Sequence, residues 1–153
     1  MAGNDELVAK IYHRPPGPHF PEKIRTMVAL RTEQIGKLTA WPTGLLTSPS
    51  GEPLGITMPR LSGHKDIHHL YSPKSRRAEF PNSDWRFLVR AAANLARSFA
   101  TVHEETSCIV ADVNQSGVLV AQDARIRLID CDSFQVTAGS RRSEEHTSEL
   151  QSR

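Results

Sequence analysis

Two acidic residues, Asp112 and Asp130, stand at the two mouths of one predicted β-hairpin, and their placement is what could do chemistry in this chain. Val118–Ala121 and Ile126–Ile129 are short β-prone runs joined by Gln122-Asp123-Ala124-Arg125, a polar connection of hairpin length. In an antiparallel hairpin the entrance of one strand lies beside the exit of the next, so the two acids should come close together. Carboxylates so placed suit a divalent metal ion and phosphate groups. Asn114, just after Asp112, and Asp132 are further candidates, because a strand-like backbone returns the Asp132 side chain to the face of Asp130. Lys10, inside the strand-like run Leu7–Tyr12, is the basic candidate; alone, a lysine in such a run is a solvated edge residue.

These residues need elements to position them. Arg14-Pro15-Pro16-Gly17-Pro18 is a rigid connection, since prolines fix φ and remove backbone donors. From Pro21 to about Thr32, Ile24, Met27 and Val28 share a helical face, with Pro21 and Glu22 suited to a first turn. Residues 40–61 read as two strands, Ala40–Leu46 and Leu54–Met58, around a turn at Ser48–Gly51. Ser62 to Pro81 is polar. There His64 and His68, four apart, would share a helix face but lack a third metal ligand, and the run Lys74-Ser75-Arg76-Arg77 reads as a solvated face. Asn82-Ser83-Asp84 begins the longest predicted helix, with Leu88, Ala92, Leu95, Ala96, Phe99 and Val102 along one stripe and His103 as a packing or capping residue near its end.

In this order the chain resembles the protein-kinase superfamily, whose catalytic loop H-R-D-L-x-x-x-N leads through a hairpin to D-F-G. Asp112 falls at the catalytic-loop aspartate, Val118 and Leu119 at the apolar pair after the loop, and Asp130 at the metal-binding aspartate, with Cys131-Asp132 in place of Phe-Gly. Val110 and Ala111 stand where His-Arg would be, and Gly117 at the asparagine position. The wording V-x-D-V-N-x-S-G-V-L-V, then L-I-D-C-D-S-F-Q, is most similar to divergent bacterial kinase-like proteins often found with helix-hairpin-helix DNA-binding modules.

The resemblance implies an α+β fold, an incomplete kinase-like domain: part of the small antiparallel sheet with its helix, a hinge, the long helix of the larger lobe and the catalytic-loop hairpin. It implies ATP and Mg²⁺, with Lys10 on the α/β-phosphates, Glu22 as its partner, and Met58 and Leu61 against the adenine from a hinge at residues 58–61. Asp112 would orient or deprotonate an acceptor hydroxyl, Asp130 would hold the metal, and Asn114 or Asp132 would stand in for the missing loop asparagine. The acceptor, a protein or another hydroxyl, is not specified, and a small-molecule phosphotransferase of the same fold would also fit. The substitutions at Val110, Ala111, Gly117 and Cys131 keep an alternative open, a non-catalytic pseudokinase-like module that binds nucleotide or a partner protein.

Residues 1–137 are expected to form this partial domain, cut short at both ends, and 138–153 a non-native or disordered tail. The stretch from Arg142, RSEEHTSELQSR, has one leucine and no apolar period, and reads as translated sequencing adapter. A Gly-rich phosphate-covering loop should precede the Lys10 strand, yet the residues before it contain only Gly3. With 153 residues, 38% of them apolar, the chain has material for one globular domain, smaller than a full kinase domain. Its 19 basic and 17 acidic residues leave a formal charge of +2, too little to argue for nucleic acid or a membrane surface, so nucleic-acid contact is expected only through modules outside this chain. Two cysteines make no disulfide framework, and no run approaches a membrane span or a signal peptide, so a cytoplasmic location is expected.

Overall fold

The lysine-bearing run is a strand, as its composition predicts. In the computed structural model, which describes residues 7–136, Leu7–Ile11 forms β1, with Val8 and Lys10 on the more buried face and Leu7 and Ile11 exposed. The expected tail lies outside the described residues. β1 pairs antiparallel with β3 (Pro53–Pro59), which also pairs with β2 (Gly44–Thr47), giving a sheet of order β1-β3-β2. Gly55 is needed in β3 because a Cβ there would come within 2.1 Å of the Lys10 carbonyl oxygen. Its absence lets the two strands close.

Helix α1 (Phe20–Ala29) buries Ile24 and Met27. A second helix that the sequence reading lacked, α2 (Glu33–Leu38), follows at once: the Thr32 hydroxyl accepts from the Ile35 N–H at 3.1 Å, and Ile35 is its buried anchor. The strand expected from Ala40 begins only at Gly44, because the preceding residues are committed elsewhere. Ala40 donates its N–H to the Leu128 carbonyl at 2.8 Å and Thr39 bridges Leu128. Beside them Trp41, fully buried, donates its indole N–H to the Met27 carbonyl at 2.6 Å and packs edge-on against Phe134.

The polar stretch after residue 61 also carries elements: β4 (His64–Asp66), α3 (His68–Tyr71) and α4 (Pro73–Glu79). His64 is thus in a strand and shares no helix face with His68. The ligand-type atoms that do cluster, within 4.8 Å of one another, are those of Asp66, His68 and His69.

Helix α5 (Trp85–Thr106) begins where expected, with the Asp84 carboxylate accepting from the Phe87 N–H at 2.8 Å. Its fully buried side is Ala91, Ser98, Thr101, Val102 and Thr106, with Leu88, Leu95 and Phe99 only partly covered and Ala92 and Ala96 exposed. The stripe is therefore rotated from the expected one toward small residues, which permit close packing. On that side Asn94 donates from its side chain to the Ala124 carbonyl at 2.9 Å.

After β5 (Cys108–Ile109) the hairpin forms as read, β6 (Val118–Ala121) against β7 (Ile126–Leu128), with Val118 opposite Leu128 and β4 added on the far edge of β6. Ala124 makes the turn in the left-handed region, at φ 67°. β8 (Gln135–Val136) returns to pair with β5. Cys108 and Cys131 are buried, unlinked packing residues whose thiols burial holds above their ordinary range. The result is a mixed α+β fold of small antiparallel sheets and one long helix, consistent with part of a kinase-like fold. Among the described residues no helix is long and apolar enough to cross a membrane.

Candidate functional site

A cleft of about 210 Å³ gathers Lys10, Asp112, Asn114 and Asp130, with Phe99, Val110 and Phe134 among its apolar lining. Three separate parts of the chain meet there. β1 supplies Lys10, the loop between β5 and β6 supplies Asp112 and Asn114, and the turn after β7 supplies Asp130.

The Lys10 ammonium is the hub. It donates to Asp130 at 3.2 Å and to both carboxylate oxygens of Asp132 at 2.9 Å. Asp132 also accepts from the Tyr12 hydroxyl at 2.5 Å. Burial alone would lower the Lys10 pKa, but the carboxylates of Asp132 and then Asp130 outweigh it and hold the pKa above the ordinary 10.5. Burial first, and then Asp132, push the Tyr12 phenol well above its ordinary range. The two acids differ in setting: the Asp130 side chain is 51% exposed and that of Asp132 only 8%.

Asp130 reaches the cleft through a left-handed backbone at φ 55°, followed by a 3₁₀ turn over Cys131–Ser133. That conformation disfavours most L-residues, though Asp tolerates it better than others. It is pinned by the Ile129 N–H on the Gly117 carbonyl at 2.9 Å and by the Ser133 hydroxyl on the Asp130 carbonyl at 2.7 Å. Through this turn, and not through a strand, the Asp130 and Asp132 carboxylates meet at the one Lys10 ammonium.

The Asp112 loop is ordered from both sides. The His103 ring nitrogen accepts from the Val110 N–H at 3.2 Å. Asn114 accepts on its one carbonyl oxygen from the Ser116 N–H at 3.0 Å, the Ser116 hydroxyl at 2.6 Å and the Gly117 N–H at 3.0 Å, while its amide donates to Asp112 at 3.3 Å. With that oxygen so used, Asn114 orients Asp112 and is poorly suited to ligate a metal.

Other candidates stand apart. Glu22 is exposed in the first turn of α1, and the Lys10 ammonium bonds to Asp130 and Asp132 instead. Met58 and Leu61 do not line the cleft, because β3 continues through Pro59, paired with Leu7, so residues 58 and 59 are sheet and not open hinge. Tyr12 was not singled out from sequence, although its place two residues after Lys10 on the same strand face was a signal.

No family model matches the chain. Over 134 residues, 87% of this chain, it is 44% identical to Protein kinase YegI of Escherichia coli O157:H7, and equally so to that of Escherichia coli strain K12. Over that stretch the chain is homologous to part of those two proteins. It spans about a fifth of those relatives, 21% and 20% of their lengths.

In this cleft the group best suited to a hard cation is Asp130. Mg²⁺ takes oxygen ligands, keeps several waters and needs only one or two carboxylates. The half-exposed Asp130 meets that description, with one oxygen on Lys10. Asp132 does not, since both its oxygens are already bonded and it is nearly covered.

Proposed function

We propose that this chain carries the phosphate-facing cleft of an ATP-dependent protein-kinase-like phosphotransferase, of Ser/Thr or divergent type. The observation that carries the reading is Lys10 bonded to Asp130 at 3.2 Å in a cleft that Asp112 also lines. Phosphoryl transfer asks a protein mainly for positioning and for charge opposite the phosphate oxygens. Lys10 supplies positive charge there, and the Asp130 carboxylate would hold Mg²⁺, which when bound neutralises charge between the phosphates. Asp112 orients the acceptor hydroxyl and takes its proton as the new bond forms, a task for an ordinary carboxylate. Asn114 and His103 keep Asp112 and its loop in place.

The cleft is smaller than the ~300–1,000 Å³ of typical small-molecule sites, which fits the phosphate end of a nucleotide better than the whole of it. Buried, unlinked Cys108 and Cys131 fit a reducing cytoplasm. One observation favours the non-catalytic, nucleotide-binding reading: Asn114 is spent on its own loop, so a second metal has no ligand there.

Calorimetry with a non-hydrolysable ATP analogue, with and without Mg²⁺, tests this. Asp130→Ala should weaken Mg²⁺-dependent binding by about tenfold or more, roughly 1.4 kcal/mol, and Asp112→Ala by much less. Equal, small effects from both would favour the non-catalytic reading, and no binding by the wild-type chain would count against both.

A further inference from the structure

Further along the hairpin lies a larger cleft, about 410 Å³, bounded by α2, β4, α5 and β7. Its polar lining is Lys37, His64, Asn94, Arg97, Ser98, Arg125 and Arg127, with four full positive charges and no carboxylate. Two of these cations are already paired at exposed positions, Lys37 with Glu33 and Arg125 with Asp123.

Arg97 and Arg127 have no carboxylate partner among the described residues. Arg97 donates to the Asn94 side chain at 3.0 Å, and half-buried Arg127 to the Gly36 carbonyl at 2.7 Å. Both contacts fix the direction of a guanidinium and leave its charge uncompensated. Burial, and then the neighbouring Arg125, disfavour the charge on Arg127. Like charges collected around one cavity are what an anion would relieve, and guanidinium groups match phosphate oxygens in two-point hydrogen bonds. Because the cations come from α2, α5 and β7 around a cavity of small-molecule size, one phosphate group could not meet them all.

We propose that this cleft binds a small anion bearing two or more phosphate groups, with Arg97 and Arg127 as its principal contacts. The site stands apart from the nucleotide reading of the Lys10 cleft and does not depend on it.

Titration of the 153-residue chain with inorganic pyrophosphate at low salt, without divalent metal, tests it. Saturable binding with Kd on the order of 100 μM or below is expected, weakened about tenfold by Arg97→Gln and by Arg127→Gln. Arg97 is exposed, so its variant reports on binding even where Arg127→Gln disturbs the fold. Lys10→Met, in the other cleft, and Arg77→Gln, on the exposed face of α4, should each change the affinity by less than about twofold. A Kd weaker than about 1 mM would overturn the proposal. So would loss in Lys10→Met in place of Arg97→Gln, or an equal loss in Arg77→Gln, which would mean diffuse charge. Inorganic monophosphate binding as tightly as pyrophosphate would overturn the assignment of two phosphate groups.

Discussion

Replacing Asp132 with asparagine should cost this chain stability through Lys10, by an amount that can be worked from the contacts. The carboxylate accepts two bonds from the ammonium at 2.9 Å and one from Tyr12 at 2.5 Å, and is 8% exposed. Asparagine keeps the shape and an oxygen for Tyr12 but removes the charge. Hydrogen bonds to charged groups contribute about 1.5–3 kcal/mol, whereas removing one partner of a fully buried pair costs about 3–5. Lys10 is 31% exposed and keeps Asp130, itself half in solvent, so the lower range of about 1.5–3 kcal/mol applies. The assay is urea unfolding read by tryptophan fluorescence, whose change comes from buried Trp41 because Trp85 is already exposed, and a slope of about 1–3 kcal/mol/M turns that loss into a midpoint shift of roughly 1 M. The alkaline limb gives a second reading. Lys10 and Tyr12 both hold their protons more tightly when folded than their ordinary 10.5 and 10.0. Their contribution is complete below about pH 10 and fades above it, because the unfolded chain then binds fewer protons. In Asp132→Asn that fade should be shallower, and the alkaline loss due to buried Cys131 should lessen with it, because the Asp132 charge adds to the burial that raises the thiol. A cost under about 0.5 kcal/mol together with an unchanged alkaline limb would refute the role given to Asp132.

Other changes probe the scaffold. Gly55→Ala puts a methyl within 2.1 Å of a backbone oxygen that cannot rotate away, and should cost at least about 2 kcal/mol in urea unfolding while weakening nucleotide binding, since β1 carries Lys10. Thr32→Ala removes the cap of α2 and should lower stability by about 1 kcal/mol, with loss of helical circular dichroism confined to a few residues. Trp41→Phe removes the indole donor from the buried Met27 carbonyl, which keeps the Leu30 N–H at 3.1 Å, for a loss of about 1 kcal/mol in the same unfolding assay, here followed by circular dichroism.

The hairpin was legible because its pattern is local: Val118, Val120, Ile126 and Leu128 are buried as a period of two requires, and Asp112 and Asp130 flank it and line one cleft. The Asp84 cap and the extent of α5 were legible for the same reason. What escaped depended on partners distant in sequence. α2 holds one buried apolar residue and an internal glycine, so its periodicity is faint, although Thr32 before Glu33 was a usable start signal. The rotation of α5 could not be read from hydrophobicity, because its packed face is Ala, Ser and Thr. The destination of Asp132 turned on one left-handed residue, Asp130, which no pattern of residue types announces.

The bond from Lys10 to Asp132 closes 122 positions of chain. Its consequence belongs to synthesis. At roughly 5–20 residues per second, Lys10 would be joined to the growing chain about 6–24 s before Asp132 is. In that interval β1 could pair with β3 and α1 could pack, since both lie nearby in sequence, but the ammonium would have only water to bind. The cleft would thus be one of the last parts of the described chain to take shape.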